Sequence, residues 1–206
     1  MIHHTAIINK QPDRAKASKG TPGGAQEPAE LGEGVILGAY AVVYAGCHLE
    51  DDVYLADYAR VREGSRIGAK TIIGRGVSIE PGCQVGKRCK FQDHAHLTPE
   101  SIVGDDCFIG PGVITTNDNS MGRGADKEGV TIGHAVRIGA HATILPGVRI
   151  GDQCIIGANA LVTRDCEAGY VYMGIPASKV RKLRREELFF DENDPMGSAV
   201  EAARYL

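Results

Sequence analysis

The chain has 206 residues and a net charge of -3, from 26 acidic and 23 basic side chains, a near balance that gives no basis for nucleic acid or an anionic membrane as a partner. No stretch approaches the roughly 20 apolar residues of a membrane span. The start, Met1-Ile-His-His-Thr, lacks a basic segment followed by an apolar run, so no secretory signal and a cytoplasmic location are expected. Glycine is unusually frequent at 27 residues, whereas aromatics are only 5% and Trp is absent. A core of small and branched side chains with many glycine corners suggests a narrow solenoid.

In chain order, Ile2-His-His-Thr-Ala6-Ile7 reads as an opening six-residue unit. Asn9 to Glu30 then carries Pro12, Pro22, Pro28 and Gly23-Gly24, so residues 1–30 are expected to be one hexad and an exposed loop. From Leu31 a large apolar residue recurs at every sixth position through Ile109, and only Phe91 departs from Leu, Ile or Val. The residue four places after each is small or β-branched, as in Ala41, Cys47, Ala59, Val77 and Ala95. Side chains alternate along a strand, so positions 1 and 5 of each hexad face the same way. A large aliphatic followed by a small inward residue fits a short strand ending in a tight corner. Glycine at position 2, found in eleven hexads, is expected to supply unusual backbone conformations or close approaches. Three strands would close a coil of eighteen residues, and coils would stack at about the 4.8 Å strand spacing.

The register breaks at residues 115–131, a polar and glycine-rich segment starting Thr115-Thr-Asn-Asp-Asn119, and resumes from Ile132 to Val162. A loop that interrupts a strict repeat is usually there for binding. The expected organisation is therefore a hexad solenoid over 31–167 with an extruded loop at 115–131. Residues 168–206 are expected to form a helical cap and tail. The cap is a helix over about 177–190 with Val180, Leu183 and Leu188 as its apolar stripe, and Ser198 with Glu201 resembles a capping box for a last short helix. All six cysteines, Cys47, Cys83, Cys89, Cys107, Cys154 and Cys166, fall at position 5. Such a register suits small buried hydrophobes in a reducing compartment and argues against disulfides or a metal cluster.

The hexads, the loop opening, the run Ile138-Gly-Ala-His-Ala-Thr-Ile-Leu-Pro-Gly-Val148 and the ending Gly174-Ile-Pro-Ala-Ser-Lys-Val180 together resemble the hexapeptide-repeat acyltransferases. Within them the chain looks most similar to nucleotide-sugar N-acetyltransferases. The resemblance covers roughly residues 31–185. It implies an all-β solenoid, a left-handed parallel β-helix, and a homotrimer with active sites between subunits. It also implies acetyl-coenzyme A as acyl donor without a metal, and a small-molecule acceptor such as an amino sugar nucleotide. The family usually has Gln-Asn-Asn before a Val-Ser pair, where this chain reads Gln92-Asp93-His94-Ala95-His96. In similar enzymes the second Asn contacts substrate; here it is His94.

Counting coils from Leu31 stacks the hexads of Phe91, Ile109, Ile138 and Ile156 on one face. Their fourth residues form the column His94, Gly112, His141 and Asn159, with His94 and His141 about 9–10 Å apart. His96 is expected beside His94, and the loop after Ile114 is expected to leave the same corner. His94 is then the candidate base and His96 the second candidate, followed by His141. Asn117, Asp118 and Asn119 would orient the acceptor, and corner amides would stabilise the oxyanion. Ala140, Ala158 and Pro176 recur at eighteen-residue spacing and are expected to line coenzyme A, with Lys179 and Arg181 at its phosphates. An O-acetyltransferase acting on a hydroxyl acceptor and a nonenzymatic scaffold are the alternatives. A zinc hydratase would need three His ligands, and the spacings here make no obvious site.

Overall fold

The computed structural model describes residues 1–13, 26–124 and 127–189. Three sheets of eight, seven and nine strands run along one axis, and every strand but the last pairs in parallel with its equivalents in the adjacent coils. The result is a parallel β-solenoid of about eight turns, consistent with the left-handed β-helix that the resemblance implies. The first face carries Leu37, Leu55, Ile73, Phe91, Ile109, Ile138 and Ile156 inward. The second carries Val43, Val61, Ile79 and Leu97, and the third Leu49, Ile67, Val85 and Val103. We call them the Phe91, His96 and Val103 faces.

The hexad register is reproduced in burial. Large position-1 residues such as Leu55, Ile73 and Ile144 are wholly buried, as are the position-5 residues Ala41, Ala59, Val77 and Ala142. The corner geometry differs from expectation in one respect. The left-handed backbone falls on position 4, where every hexad residue from Gly34 to Asn159 has φ between 53° and 76°. Position-2 glycines answer to close approach instead: a Cβ on Gly74 would lie 2.6 Å from the Phe91 carbonyl oxygen of the next coil.

Position 5 also holds a hydrogen-bond ladder. Thr71 Oγ1 donates to the Gly86 carbonyl (2.8 Å) and accepts from the Cys89 amide (3.0 Å). Ser65 Oγ repeats this with the Glu80 carbonyl and the Cys83 amide. Cys83 and Cys89 donate their thiols to the carbonyls of Thr98 and Gly104. A small γ-donor therefore fits the corner and satisfies a carbonyl that turns into the core. Asp at position 3 works on the outside: Asp57, Asp93, Asp105 and Asp152 each accept the amide of the corner one coil earlier.

Both ends depart from the expected organisation. Residues 7–10 already form a strand beside Val42–Tyr44, so the N-terminal excursion starts later than Asn9. Its base is closed by the Gln26 amide on Gln11 and the Ala29 amide on Asn9. At the C-terminus the last coil is two residues short. Cys166 pairs with Ile150 and so takes a position-1 place rather than position 5, although it stays buried. The expected helix over 177–190 is instead a strand, Ala177–Lys182, antiparallel to Tyr170–Gly174, followed by a 3-10 turn at Arg185–Glu187. Tyr170–Gly174 continues the Phe91 face and would leave an open sheet edge, which the returning strand covers. The proposed Ser198–Glu201 capping box lies outside the described residues. Among those described, no helix is long and apolar enough to cross a membrane.

Candidate active site

The corner joining the Phe91 face to the His96 face brings the first group of candidates together. His94 sits at position 4 with φ 60°, and Asp93 beneath it accepts the Arg75 amide (3.0 Å) and pairs with the Arg75 guanidinium (2.6 Å). These bonds hold the Asp93 carboxyl below the usual range and fix the backbone that carries the imidazole. The ring of His94 fills the space a Gly76 side chain would take, with Nδ1 2.6 Å from the ideal Cβ position. His141 repeats this arrangement over Gly112. Both imidazoles are exposed, and two strand spacings separate them, about 9.6 Å.

Ala140 and Ala158 stand on this same corner, one residue before His141 and Asn159. The small-residue line and the histidine column are therefore adjacent threads of one edge. Pro176 leaves that line: Ile156 pairs with Tyr172, sixteen residues on rather than eighteen, and Pro176 falls in the hairpin turn. The short last coil is the cause. The corner also offers donors. Where the next coil has an Asp at position 3, the corner amide is occupied, as at Arg75. The next coils present Pro111 and Ala158 instead, and the amides of Asp93 and Ala140 have no protein acceptor among the described residues.

His96 lies on the adjoining strand, paired with Ser78 on one side and Ile114 on the other. It is half-buried, and burial pushes its pKa below the ordinary value, opposed by the Glu80 carboxylate and aided by Arg60. Ser78 Oγ links these neighbours, donating to Glu80 (2.6 Å) and accepting from Arg60 (2.7 Å). Arg62 pairs with both Glu63 and Glu80, so a mostly buried polar network adjoins His96.

The extruded loop leaves from a different corner than expected. Thr115 takes a buried position-1 place on the His96 face, and the chain returns at Thr131–Ile132 on the Val103 face. The loop thus departs at the far end of the His96 strand, while His94 is at the near end. Thr115 Oγ1 ties the two by donating to the His96 carbonyl (3.3 Å) and accepting the Thr98 amide (2.7 Å). Asp118 orders the loop itself, accepting from the Ser120 amide and hydroxyl and from the Gly122 amide, which keeps its carboxyl below the usual range. The Asn117 carbonyl accepts the Glu128 amide, and Asn119 is exposed. Sequence reasoning picked out Thr115 and Asp93 only as parts of motifs and missed their positioning roles, because their hydrogen bonds join residues about a coil apart.

The remaining candidates are engaged elsewhere. Lys179 pairs with Glu167 and stacks on Tyr170, with its ammonium 4.2 Å from the ring centroid. It lines a depression of about 680 Å³ shared with Arg149, Asp152, Asp165 and Glu167, at the end of the Val103 face and on a different corner from His94 and His141. Arg181 forms a two-point ion pair with Glu187 (2.6 and 2.8 Å). His134 and His141 belong to different corners, and the His134 Nδ1 accepts the Asp105 amide. Among the described residues, no group of three His, Cys, Asp or Glu side chains could hold a metal.

Residues 129–164 match the family model of the bacterial transferase hexapeptide, six repeats. No curated protein sequence matches the chain. Among solved structures, a hexapeptide-repeat containing acetyltransferase from Vibrio cholerae complexed with acetyl coenzyme A is 22% identical, with a TM-score of 0.53 over 57% of this chain and 70% of that one. The polysialic acid specific acetyltransferase NeuO is 19% identical, with a TM-score of 0.57 over 86% of this chain and 94% of that one. These two share the fold. A variant of perosamine N-acetyltransferase from Caulobacter crescentus, in complex with CoA and GDP-perosamine, is 25% identical; the alignment covers 77% of this chain and 56% of that one, with a TM-score of 0.40.

Proposed function

Taking the chain as a hexapeptide-repeat protein, we propose that it is a coenzyme A-dependent acyltransferase. It moves an acetyl or similar short acyl group to an amino group of a sugar, nucleotide-linked, and works as a homotrimer. The observation that carries this reading is the shared corner: two exposed imidazoles, a line of small residues and two amides without a protein acceptor among the described residues lie along one edge. The pantetheine arm lies along the small side chains of Ala140 and Ala158. The acceptor nitrogen attacks the thioester carbonyl while His94 takes its proton. The tetrahedral oxyanion accepts from a corner amide, Asp93 or Ala140. Collapse breaks the carbon–sulfur bond, and the thiolate takes from His94 the proton it received and leaves as coenzyme A. Asp118 holds the loop in shape, but the loop leaves the far end of the His96 strand, so Asn117 and Asn119 take no part at the His94 corner. Lys179 and Arg181 act at the phosphates only by exchanging their acidic partners.

The test is turnover with acetyl-coenzyme A and a panel of amino-sugar nucleotides and simple hydroxyl acceptors, read as thiol release. General base catalysis is worth about 10²–10⁴-fold, so His94→Asn is expected to lose at least about a hundredfold in turnover. Its affinity for coenzyme A, measured by calorimetry, should hold within a few-fold. His96→Asn serves as the control on the neighbouring strand, and His141→Asn asks whether the second imidazole carries the proton instead. Near-normal turnover by His94→Asn removes it as the base. No coenzyme A binding at millimolar concentration favours a nonenzymatic scaffold.

A further inference from the structure

The histidine corner extends toward the N-terminus beyond the residues assigned to chemistry. Its position-4 column reads Tyr40, Tyr58, Gly76, His94, Gly112 and His141. Tyr40 and Tyr58 stack with their ring centroids 5.3 Å apart and their planes within 11° of parallel. Their exposures are 53% and 65%, high for aromatic side chains in a chain with so few. Both hold the left-handed backbone that every position 4 adopts, φ 56° and 60°, so the conformation belongs to the fold, and the two exposed rings are what is particular to these coils. The next coil carries the exposed Arg75 guanidinium, and Gly76 leaves no side chain of its own between the tyrosines and His94.

We infer that the Tyr40–Tyr58 pair is the stacking platform for the base of a nucleoside diphosphate-linked acceptor, with Arg75 facing its phosphates. This rests on the acyl-transfer reading for the kind of ligand, and it assigns a place and an orientation that reading leaves open. Tyr58 lies two coils before His94, about 9.6 Å along the axis, and Tyr40 a further coil away. A pentose and two phosphates bridge such a gap. The acceptor then approaches from the N-terminal side of His94 and the acyl donor from the C-terminal side along Ala140 and Ala158. The two substrates meet end to end on one straight edge. Stacking on aromatic rings tolerates any base, so the platform recognises a nucleotide rather than one particular nucleotide. Arg75 is already held by Asp93, which keeps the guanidinium in place while most of its surface stays open.

Calorimetric titration of the purified protein with uridine, guanosine and thymidine diphosphates, inorganic pyrophosphate and acetyl-coenzyme A tests this. The variants are Tyr40→Gly, Tyr58→Gly and Arg75→Gln; glycine is the residue the chain itself uses at this corner, so the tyrosine variants should keep the fold. Nucleoside diphosphate affinity is expected to fall tenfold or more in each tyrosine variant, while pyrophosphate and acetyl-coenzyme A affinities stay within twofold. Arg75→Gln should weaken both nucleoside diphosphate and pyrophosphate. If wild-type protein binds acetyl-coenzyme A but no nucleoside diphosphate, or if both tyrosine variants bind it as well as wild type, the inference is overturned and acyl transfer stands. A change of oligomeric state in the tyrosine variants assigns the pair to a subunit contact and also overturns it. Failure of wild-type protein to bind acetyl-coenzyme A removes the functional reading and this inference together.

Discussion

His96 couples the polar network of its face to pH. Burial holds its folded pKa below the ordinary value of about 6.5, so the folded protein keeps the ring neutral where the unfolded chain begins to protonate. The unfolded state then binds more protons, and stability is complete above about pH 6.5 and declines as pH falls toward the folded pKa. Carboxyls such as Asp93 and Asp118 have lowered folded values and lose their contribution only at more acidic pH, outside this window. The urea midpoint is therefore expected to fall between pH 7.5 and 5.5, and His96→Gln should flatten that decline. A variant with the same pH slope as wild type would show that another group is responsible.

At the scale of the hexad, the corner is the unit that carries stability. Thr71 uses one hydroxyl to satisfy two backbone groups, the Gly86 carbonyl and the Cys89 amide. Thr71→Val keeps the shape and removes both bonds, leaving buried backbone groups unpaired, which costs about 1–3 kcal/mol. Thr71→Ser retains the hydroxyl and should cost less. Chemical denaturation at constant m-value reads the difference, and equal losses for the two variants would contradict the ladder. Small size at position 5 was legible from the repeat, but the hydrogen bond was not, because its acceptor lies fifteen residues further on. The C-terminal segment illustrates the opposite failure. Val180, Leu183 and Leu188 suit a helical stripe locally, whereas the strand forms because the uncovered edge at Tyr170–Gly174 needs a partner.

Across the whole molecule, the six thiols all face the interior of one continuous core. Burial pushes the Cys47, Cys83 and Cys166 thiols up to about 12, so the reactive thiolate is scarce even where reagent arrives. Native protein is expected to react slowly with a bulky thiol reagent, at a rate that follows unfolding, and to yield all six thiols in denaturant. Fast labelling of several thiols under native conditions would mean that the coils open locally. Stacked repeats contact mainly their neighbours, so such opening would start at the ends, where Cys166 lies under the shortened last coil.

The repeat alone determined the coil, the inward register, the three faces and the alignment of His94 with His141. Each follows from a six-residue period acting through strand alternation and a constant strand spacing. Which corner a residue occupies beyond an interruption is another matter, since one or two residues more or less in a turn redirect everything after it. Pro176 left the Ala140–Ala158 line through a coil two residues short, and the loop at 116–129 left the far end of the His96 strand. The partners of Lys179 and Arg181 were likewise decided only in three dimensions, where Glu167 and Glu187 come within reach. Periodicity propagates along the chain wherever each coil copies the last, and it is silent where the chain must be closed, capped or paired across the fold.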